Sequence, residues 1–258
     1  MLQMRTIVIS GSASGIGAAT RSRLERGGAR VIGVDLRGAE VEADLSQPAG
    51  RAAAVARVLE LCGGRLEGAV ACAGVGPQFE PWPTIVSLNY FGAQAMLVGL
   101  RAALTAGNEP AAVAISSNSS TLPGAETPVV DACLAGGEEE ARRLGATLGG
   151  QACYAGSKLA LARWVRRNAP GREWASAGIR LNAVAPGATL TPLLRAGLDH
   201  ELFGPAIRNF PIPLGGFGDP QQIAAAVDFL LGADARFCCG SVLFCDGGTD
   251  AMLRPDSY

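Results

Sequence analysis

Arg5-Thr6-Ile7-Val8-Ile9-Ser10 runs straight into Gly11-Ser12-Ala13-Ser14-Gly15-Ile16-Gly17. The first stretch is a short β-branched run, the composition of a buried strand. The second is a glycine-rich turn spaced G-x-x-x-G-x-G. The next segment, Gly15–Gly28, reads as a helix that stops at a Gly-Gly pair. Glycine-rich turns are common, and many are only turns. Between a strand and a helix such a turn has a physical use. Glycines let the backbone turn tightly and approach a pyrophosphate, and the helix N-terminus offers the anion its unpaired N–H groups. Gly11, Ser14, Gly15, Ile16 and Gly17 are the expected contacts.

Outward from this turn, Ala29–Asp35 is a second strand, and Asp35 stands at its end, 18 positions beyond Gly17. In a dinucleotide fold an acid there takes both hydroxyls of the adenosine ribose and repels a 2′-phosphate, which favours NAD over NADP. The plainer alternative is a strand-end turn aspartate. Val41–Leu45, Leu66–Ala73, Pro110–Ser117, Ile179–Ala185 and Ser241–Asp246 read as further strands. Pro48–Cys62, Ile85–Ala106, Gln151–Trp174 and Asp219–Leu231 read as helices. The strands are near-continuous apolar runs, as expected when both faces of a sheet are covered. Strands separated by single helices imply βαβ units and a parallel sheet of about seven strands, wound on both faces, in one α/β domain over residues 1–258. Two stretches, 118–150 and 187–218, fall outside this rhythm and are candidates for lids or interfaces.

Composition narrows the classes. Hydrophobic residues make up 48% and charged residues 17% of 258, enough apolar material for a large core and too little charge for a disordered chain. Lys+Arg 22 against Asp+Glu 23 leaves a net charge of −1 with no charge block, so neither nucleic acid nor an anionic membrane is an expected partner. No apolar run is long enough for a membrane span. The seven cysteines form no CxxC pair and scatter through apolar segments, which suggests buried reduced thiols in a cytoplasmic protein. The single histidine, His200, reads as a surface loop residue, and no metal site is expected.

Tyr154-Ala155-Gly156-Ser157-Lys158 opens a helix and puts tyrosine and lysine four apart, on one face. A free phenol titrates near pH ~10 and is a poor base at neutral pH. A neighbouring ammonium, with a cationic nicotinamide close by, stabilises the phenolate and lowers that value. The pair then exchanges a proton with a substrate hydroxyl while hydride leaves the same carbon. A bare Y-x-x-x-K spacing also arises by chance as a surface pair, so its surroundings matter.

Those surroundings resemble the short-chain dehydrogenase/reductase family over essentially the whole chain, which implies a Rossmann-type doubly wound sheet. The family's T-G-x-x-x-G-I-G loop matches Ser10–Gly17, with serine for threonine. Its acidic-apolar pair at adenine matches Asp44-Leu45. Its N-N-A-G segment is Ala71-Cys72-Ala73-Gly74, both asparagines replaced but the turn at Ala73-Gly74 retained. The helix asparagine of the family's proton relay matches Asn89, and the catalytic serine falls at Ser117 rather than Ser116. Pro186-Gly187, with Thr189 and Thr191 after it, matches the segment that holds the nicotinamide carboxamide. The resemblance implies four roles. Tyr154 is the acid/base, Lys158 tunes it and binds ribose, Ser117 polarises the substrate oxygen, and Asn89 supports a water chain beside Lys158. Ser119 and Ser120 read as loop residues.

Ser117 and Tyr154 lie 37 positions apart because of an insertion that reads as helix–turn–helix. This, with Asn89-Tyr90-Phe91-Gly92 and the tail Asp250-Ala251-Met252-Leu253-Arg254-Pro255, resembles the family's bacterial 3α-hydroxysteroid dehydrogenase/carbonyl reductase branch. The implied reaction interconverts a secondary alcohol and a ketone with NAD, on a hydroxysteroid or a similar hydrophobic alicyclic or aromatic carbonyl. Coniferyl or aryl-alcohol oxidation is the alternative, and a non-catalytic nucleotide-binding protein a remote one. The apolar stretch 188–218 is expected to lid the site, with Leu193 and Leu194 on the substrate beside Ser117 and Tyr154. Trp82 is a further candidate for the pocket border. The insertion is expected to obstruct one common pairing face of the family and leave a homodimer through the last strand and helix 219–231.

Overall fold

The computed structural model describes residues 4–257. Seven parallel strands form one sheet in the order β3-β2-β1-β4-β5-β6-β7. They are β1 (Thr6–Ser10), β2 (Arg30–Asp35), β3 (Val41–Glu42), β4 (Gly68–Ala71), β5 (Ala111–Ile115), β6 (Arg180–Pro186) and β7 (Val242–Cys245). Alternation along β1 shows why both faces need cover. Ile7 and Ile9 belong to the apolar cluster that includes Leu24, Ile223 and Val227, whereas Val8 joins the larger one with Leu97, Leu161 and Val165. Helices α1 (Gly15–Arg26) and α11 (Pro220–Leu231) therefore cover one face. Helices α2 (Pro48–Cys62), α4 (Ala93–Gly99) and α8 (Gly150–Asn168) cover the other. The strand order reverses between β1 and β4, which opens a crevice at their carboxyl ends.

Several elements differ from expectation. The expected helix 85–106 is broken into α3 (Pro83–Val86), a π-helical turn (Ser87–Gly92), α4 and α5 (Arg101–Thr105). The expected strand 41–45 pairs only over Val41–Glu42, because the Asp44 side chain accepts from the Ser46 N–H at 2.9 Å and starts a turn. Helix α8 stops at Asn168 instead of reaching Trp174, since Pro170 lacks an N–H and restricts the residue before it. Trp174 instead packs edge-on against Trp164, with ring centroids 5.8 Å apart.

The insertion holds a 3₁₀ turn (Asn118–Thr121), α6 (Pro128–Leu134) and α7 (Glu138–Leu148). The stretch after β6 carries α9 (Pro192–Asp199) and α10 (Gly204–Arg208), and α12 (Thr249–Leu253) follows β7. Cys133 and Cys153 are buried, but the other five cysteines reach the surface at least partly and Cys239 is exposed, so the expectation of uniformly buried thiols fails. Among the described residues no helix is long and apolar enough to cross a membrane.

Candidate active site

A cavity of about 690 Å³ lies over the carboxyl ends of the strands. The turn after β1 forms its floor because it has room for nothing larger. A Cβ on Gly17 would lie 1.9 Å from the Gly11 carbonyl oxygen, and one on Gly11 (φ +72°) 2.7 Å from the Ala73 backbone. This close approach keeps the α1 N-terminus open to an anion. Gly17→Ala is accordingly expected to destabilise the fold by roughly 1–3 kcal/mol through overpacking against main chain and to abolish nucleotide binding. Thermal melts and NADH titration check both, and a variant that binds NADH normally contradicts it.

Gly11, Ser14, Gly15, Ile16, Gly17, Asp35, Asp44, Leu45, Ala73, Gly74, Pro186, Gly187, Thr189 and Thr191 all line this cavity. Asp35 is locked in place: Oδ2 accepts from the Ala13 N–H at 2.9 Å and Oδ1 from the Leu36 N–H at 2.7 Å. The turn that lost its asparagines is held by Ser10, whose Oγ accepts from the N–H groups of Cys72 (3.1 Å) and Ala73 (3.3 Å). Thr191 caps α9 by accepting from the Leu194 N–H at 3.2 Å, and Thr189 donates to the Gly187 carbonyl at 2.9 Å.

Ser117, Tyr154 and Lys158 come together at one wall of the cavity. The two candidate serines separate cleanly. Ser116 Oγ donates to the Lys158 carbonyl at 2.8 Å and is used up in joining β5 to α8. Ser117 Oγ accepts from the Ser119 N–H at 3.1 Å and is hydrogen-bonded to Tyr154. The single Ser117 hydroxyl hydrogen is therefore directed at the Tyr154 oxygen in the chain alone. Lys158 Nζ is buried and donates to the Ile115 carbonyl at 2.8 Å. Burial lowers its pKa to about 8, with Cys72 nearby opposing the change.

Burial pushes the Tyr154 pKa up, and the hydrogen bond from Ser117 only partly offsets this. Within the chain alone the lysine does not bring the phenol down. Its ammonium is itself weakened by burial and engaged by Ile115.

Asn89 is fully buried, and it braces the cavity without lining it. Its Oδ1 accepts from the Val75 N–H at 2.9 Å and its Nδ2 donates to the Val75 carbonyl at 3.0 Å. Its side chain thus ties down the turn after β4. Trp82 does not border the cavity; it lies against Gly149 and Gly150 at the start of α8. His200 ends α9, where its Nδ1 accepts from the Leu202 N–H at 3.2 Å.

Leu193 and Leu194 line the cavity with Phe203, Ile207 and Phe210 from the stretch after β6. Sequence reading missed Ser119, Gln78 and Gln151 on the walls. Gln151 had a signal, since it precedes Tyr154 by three positions on one helix face. Gln78 had none, because its Nε2 donates across the cavity edge to the Leu193 carbonyl, 115 positions away, at 3.2 Å. Among the described residues no group of His, Cys, Asp or Glu is placed to hold a metal ion.

With this geometry in hand, similarity to known proteins is informative. A family model described as Enoyl-(Acyl carrier protein) reductase matches residues 146–250. The chain is 45% identical to the 3-alpha-hydroxysteroid dehydrogenase/carbonyl reductase of Comamonas testosteroni, over 99% of this chain and 100% of that protein. It is 29% identical to the coniferyl-alcohol dehydrogenase of a Pseudomonas species, over 96% and 97% of the two chains. The crystal structure of the 3-alpha-hydroxysteroid dehydrogenase from Pseudomonas sp. B-0831 complexed with NADH superposes with a TM-score of 0.96 at 49% identity, covering 98% of this chain and 100% of that one. Identity of this extent and the shared seven-stranded fold lead to one conclusion: the chain belongs to the short-chain dehydrogenase/reductase family of oxidoreductases.

Proposed function

We propose that the protein interconverts a secondary alcohol and a ketone with NAD(H), and that a 3α-hydroxysteroid or similar hydrophobic alicyclic alcohol is the substrate. The observation that carries this is the single wall on which Ser117, Tyr154 and Lys158 meet, between the glycine turn with Asp35 and the apolar lid. The glycine cradle and the fixed Asp35 carboxylate fit a dinucleotide with free ribose hydroxyls. Residues 11–17 would hold the pyrophosphate, Asp44 and Leu45 the adenine side, and Pro186, Gly187, Thr189 and Thr191 the nicotinamide end. Bound NAD supplies the hydride acceptor.

The side chains then handle the proton. With substrate bound, Ser117, its Oγ held by the Ser119 N–H, would turn its hydroxyl hydrogen from Tyr154 to the substrate oxygen. Tyr154 accepts the hydroxyl proton as hydride leaves the carbinol carbon, and returns it in the reverse direction. Lys158, with N–H donors beyond the one given to Ile115, binds the nicotinamide ribose and favours the phenolate when protonated. Asn89 keeps the Gly74–Val75 turn in place.

The steroid reading takes support from the relatives at 45% and 49% identity, and from a lid lined by Leu193, Leu194, Phe203, Ile207 and Phe210. Coniferyl alcohol remains the second reading through the 29% relative. Initial rates of NADH formation with 3α-hydroxysteroids, coniferyl alcohol and simple secondary alcohols separate the two, with NADP run in parallel. The proposal expects steroid turnover with NAD and little with NADP. Turnover of coniferyl alcohol alone would move the substrate assignment.

A homodimer is proposed through β7 and α11. β7 is an edge strand of half-exposed residues, and Phe229 and Phe237 stand out to solvent beside it. Sedimentation is expected to give a dimer that Phe237→Glu weakens; a tetramer contradicts it. A cytoplasmic setting is supported by seven cysteines that are all free thiols.

A further inference from the structure

Arg51 on α2, which is buried, and Glu138 at the start of α7, which is half-buried, form an ion pair that the chemistry above does not use. The contact is a fork, with Nη1 and Nη2 of Arg51 donating to the two Glu138 oxygens at 2.7 and 2.6 Å. The rest of the guanidinium is committed to main-chain carbonyls from two other segments. Nε donates to Leu45 at 2.7 Å, and Nη2 donates to Ser46 at 3.0 Å and to Ser87 at 3.1 Å. A second tie from α7 reaches the same place, since Arg142 Nη1 donates to Ser87 Oγ at 2.8 Å. Burial alone would push the Glu138 carboxyl up, but the hydrogen bonds from Arg51 and Ser87 and the charges of Arg51 and Arg142 hold it below the usual carboxylate range.

What these carbonyls belong to gives the cluster its meaning. Leu45, next to Asp44, walls the cavity on the side of Asp35. Ser87 opens the π-helical turn, which carries Leu88 on the cavity wall and Asn89 under Gly74 and Val75. Ion pairs taken partly or wholly out of water contribute little to stability compared with apolar packing, and their best-attested use is to fix one arrangement among several. Here the arrangement fixed is the meeting of two cavity walls with the inserted helix.

We propose that Glu138 is a positioning residue for the adenine nucleotide, acting through Arg51 to hold the Leu45–Ser46 turn and the π-helical turn in the geometry that receives it. This rests on the reading of the cavity as a dinucleotide site. The insertion thereby serves cofactor binding from outside the cavity.

Calorimetric titration with NADH and with AMP tests this on the full-length protein. Glu138→Gln is expected to raise both dissociation constants about tenfold, while KM for the alcohol at saturating NAD changes less than about twofold. Glu138→Asp should recover part of the affinity. Glu140→Gln, which removes only an exposed pair with Arg143 on the same helix, should bind as the wild type does. Unchanged AMP and NADH affinity in Glu138→Gln, with only a lower melting temperature, overturns the proposal. If that variant does not fold, amide exchange in the wild type decides: AMP should slow exchange at residues 87–89 and 138–142, and no slowing there overturns it. A wild type that binds neither NADH nor AMP instead rejects the dinucleotide reading itself.

Discussion

Tyr154→Phe is expected to lower kcat by about 10³-fold, within the range typical of a lost general acid/base, while NADH binding stays within about twofold of wild type. The phenol oxygen lies on the cavity wall, where its hydrogen-bond partner is Ser117. Removing it leaves α8 intact, because Tyr154 contributes its backbone to the helix whether or not the hydroxyl is present. Steady-state rates in both directions and a fluorescence titration of NADH check this together. A variant that retains more than about a tenth of wild-type turnover would show that another group moves the proton.

Lys158→Met is expected to lose turnover by at least about 10²-fold and yet to melt higher at neutral pH. The sign follows from linkage. Burial puts the folded-state pKa of Lys158 at about 8, below the ~10.4 of an unfolded lysine. Between these values the unfolded chain binds more protons, so stability rises with pH across that window. Below pH 8 the full penalty of the buried ammonium is present, on the order of 3 kcal/mol at about 1.4 kcal/mol per unit. Methionine removes it but leaves the Ile115 carbonyl without its donor, which costs about 1–2 kcal/mol. The net gain at pH 7 is about 1–2 kcal/mol, roughly 2–4 °C in Tm per kcal/mol for a chain of this size. The gain should shrink toward pH 10. A variant less stable than wild type at pH 7 contradicts the burial argument.

Local signals made much of this molecule legible. The β1 strand, the Gly11–Gly17 turn and Asp35 announce themselves between Arg5 and Asp35, and each depends on neighbours in sequence. The seven parallel strands follow from the βαβ rhythm, though their order does not. Ser117, by contrast, was separable from Ser116 only by resemblance. The structure gives the physical reason, because Ser116 faces the Lys158 carbonyl. The end of α8 was readable in Pro170-Gly171, and the helix was nonetheless extended too far.

Other features had no local signal. Nothing in Ser87-Leu88-Asn89-Tyr90-Phe91-Gly92 marks a π-helical turn. Its Ser87 carbonyl is held by Arg51, 36 positions away, and Arg51 in turn by Glu138, 87 positions further along from it. The burial around Tyr154 had no local signal either. Sequence spacing shows that a lysine is near but not how far each group is desolvated, and in the chain alone burial raises the phenol and lowers the ammonium.

The measurement to make first tracks the hydride itself. A 3α-hydroxysteroid carrying deuterium on the carbinol carbon would be incubated with the purified protein and NAD, and the reduced nicotinamide recovered for mass spectrometry. Direct transfer within the cavity predicts one deuterium in each NADH formed and none released to water. Unlabelled NADH, or deuterium in the solvent, would contradict hydride transfer at this site.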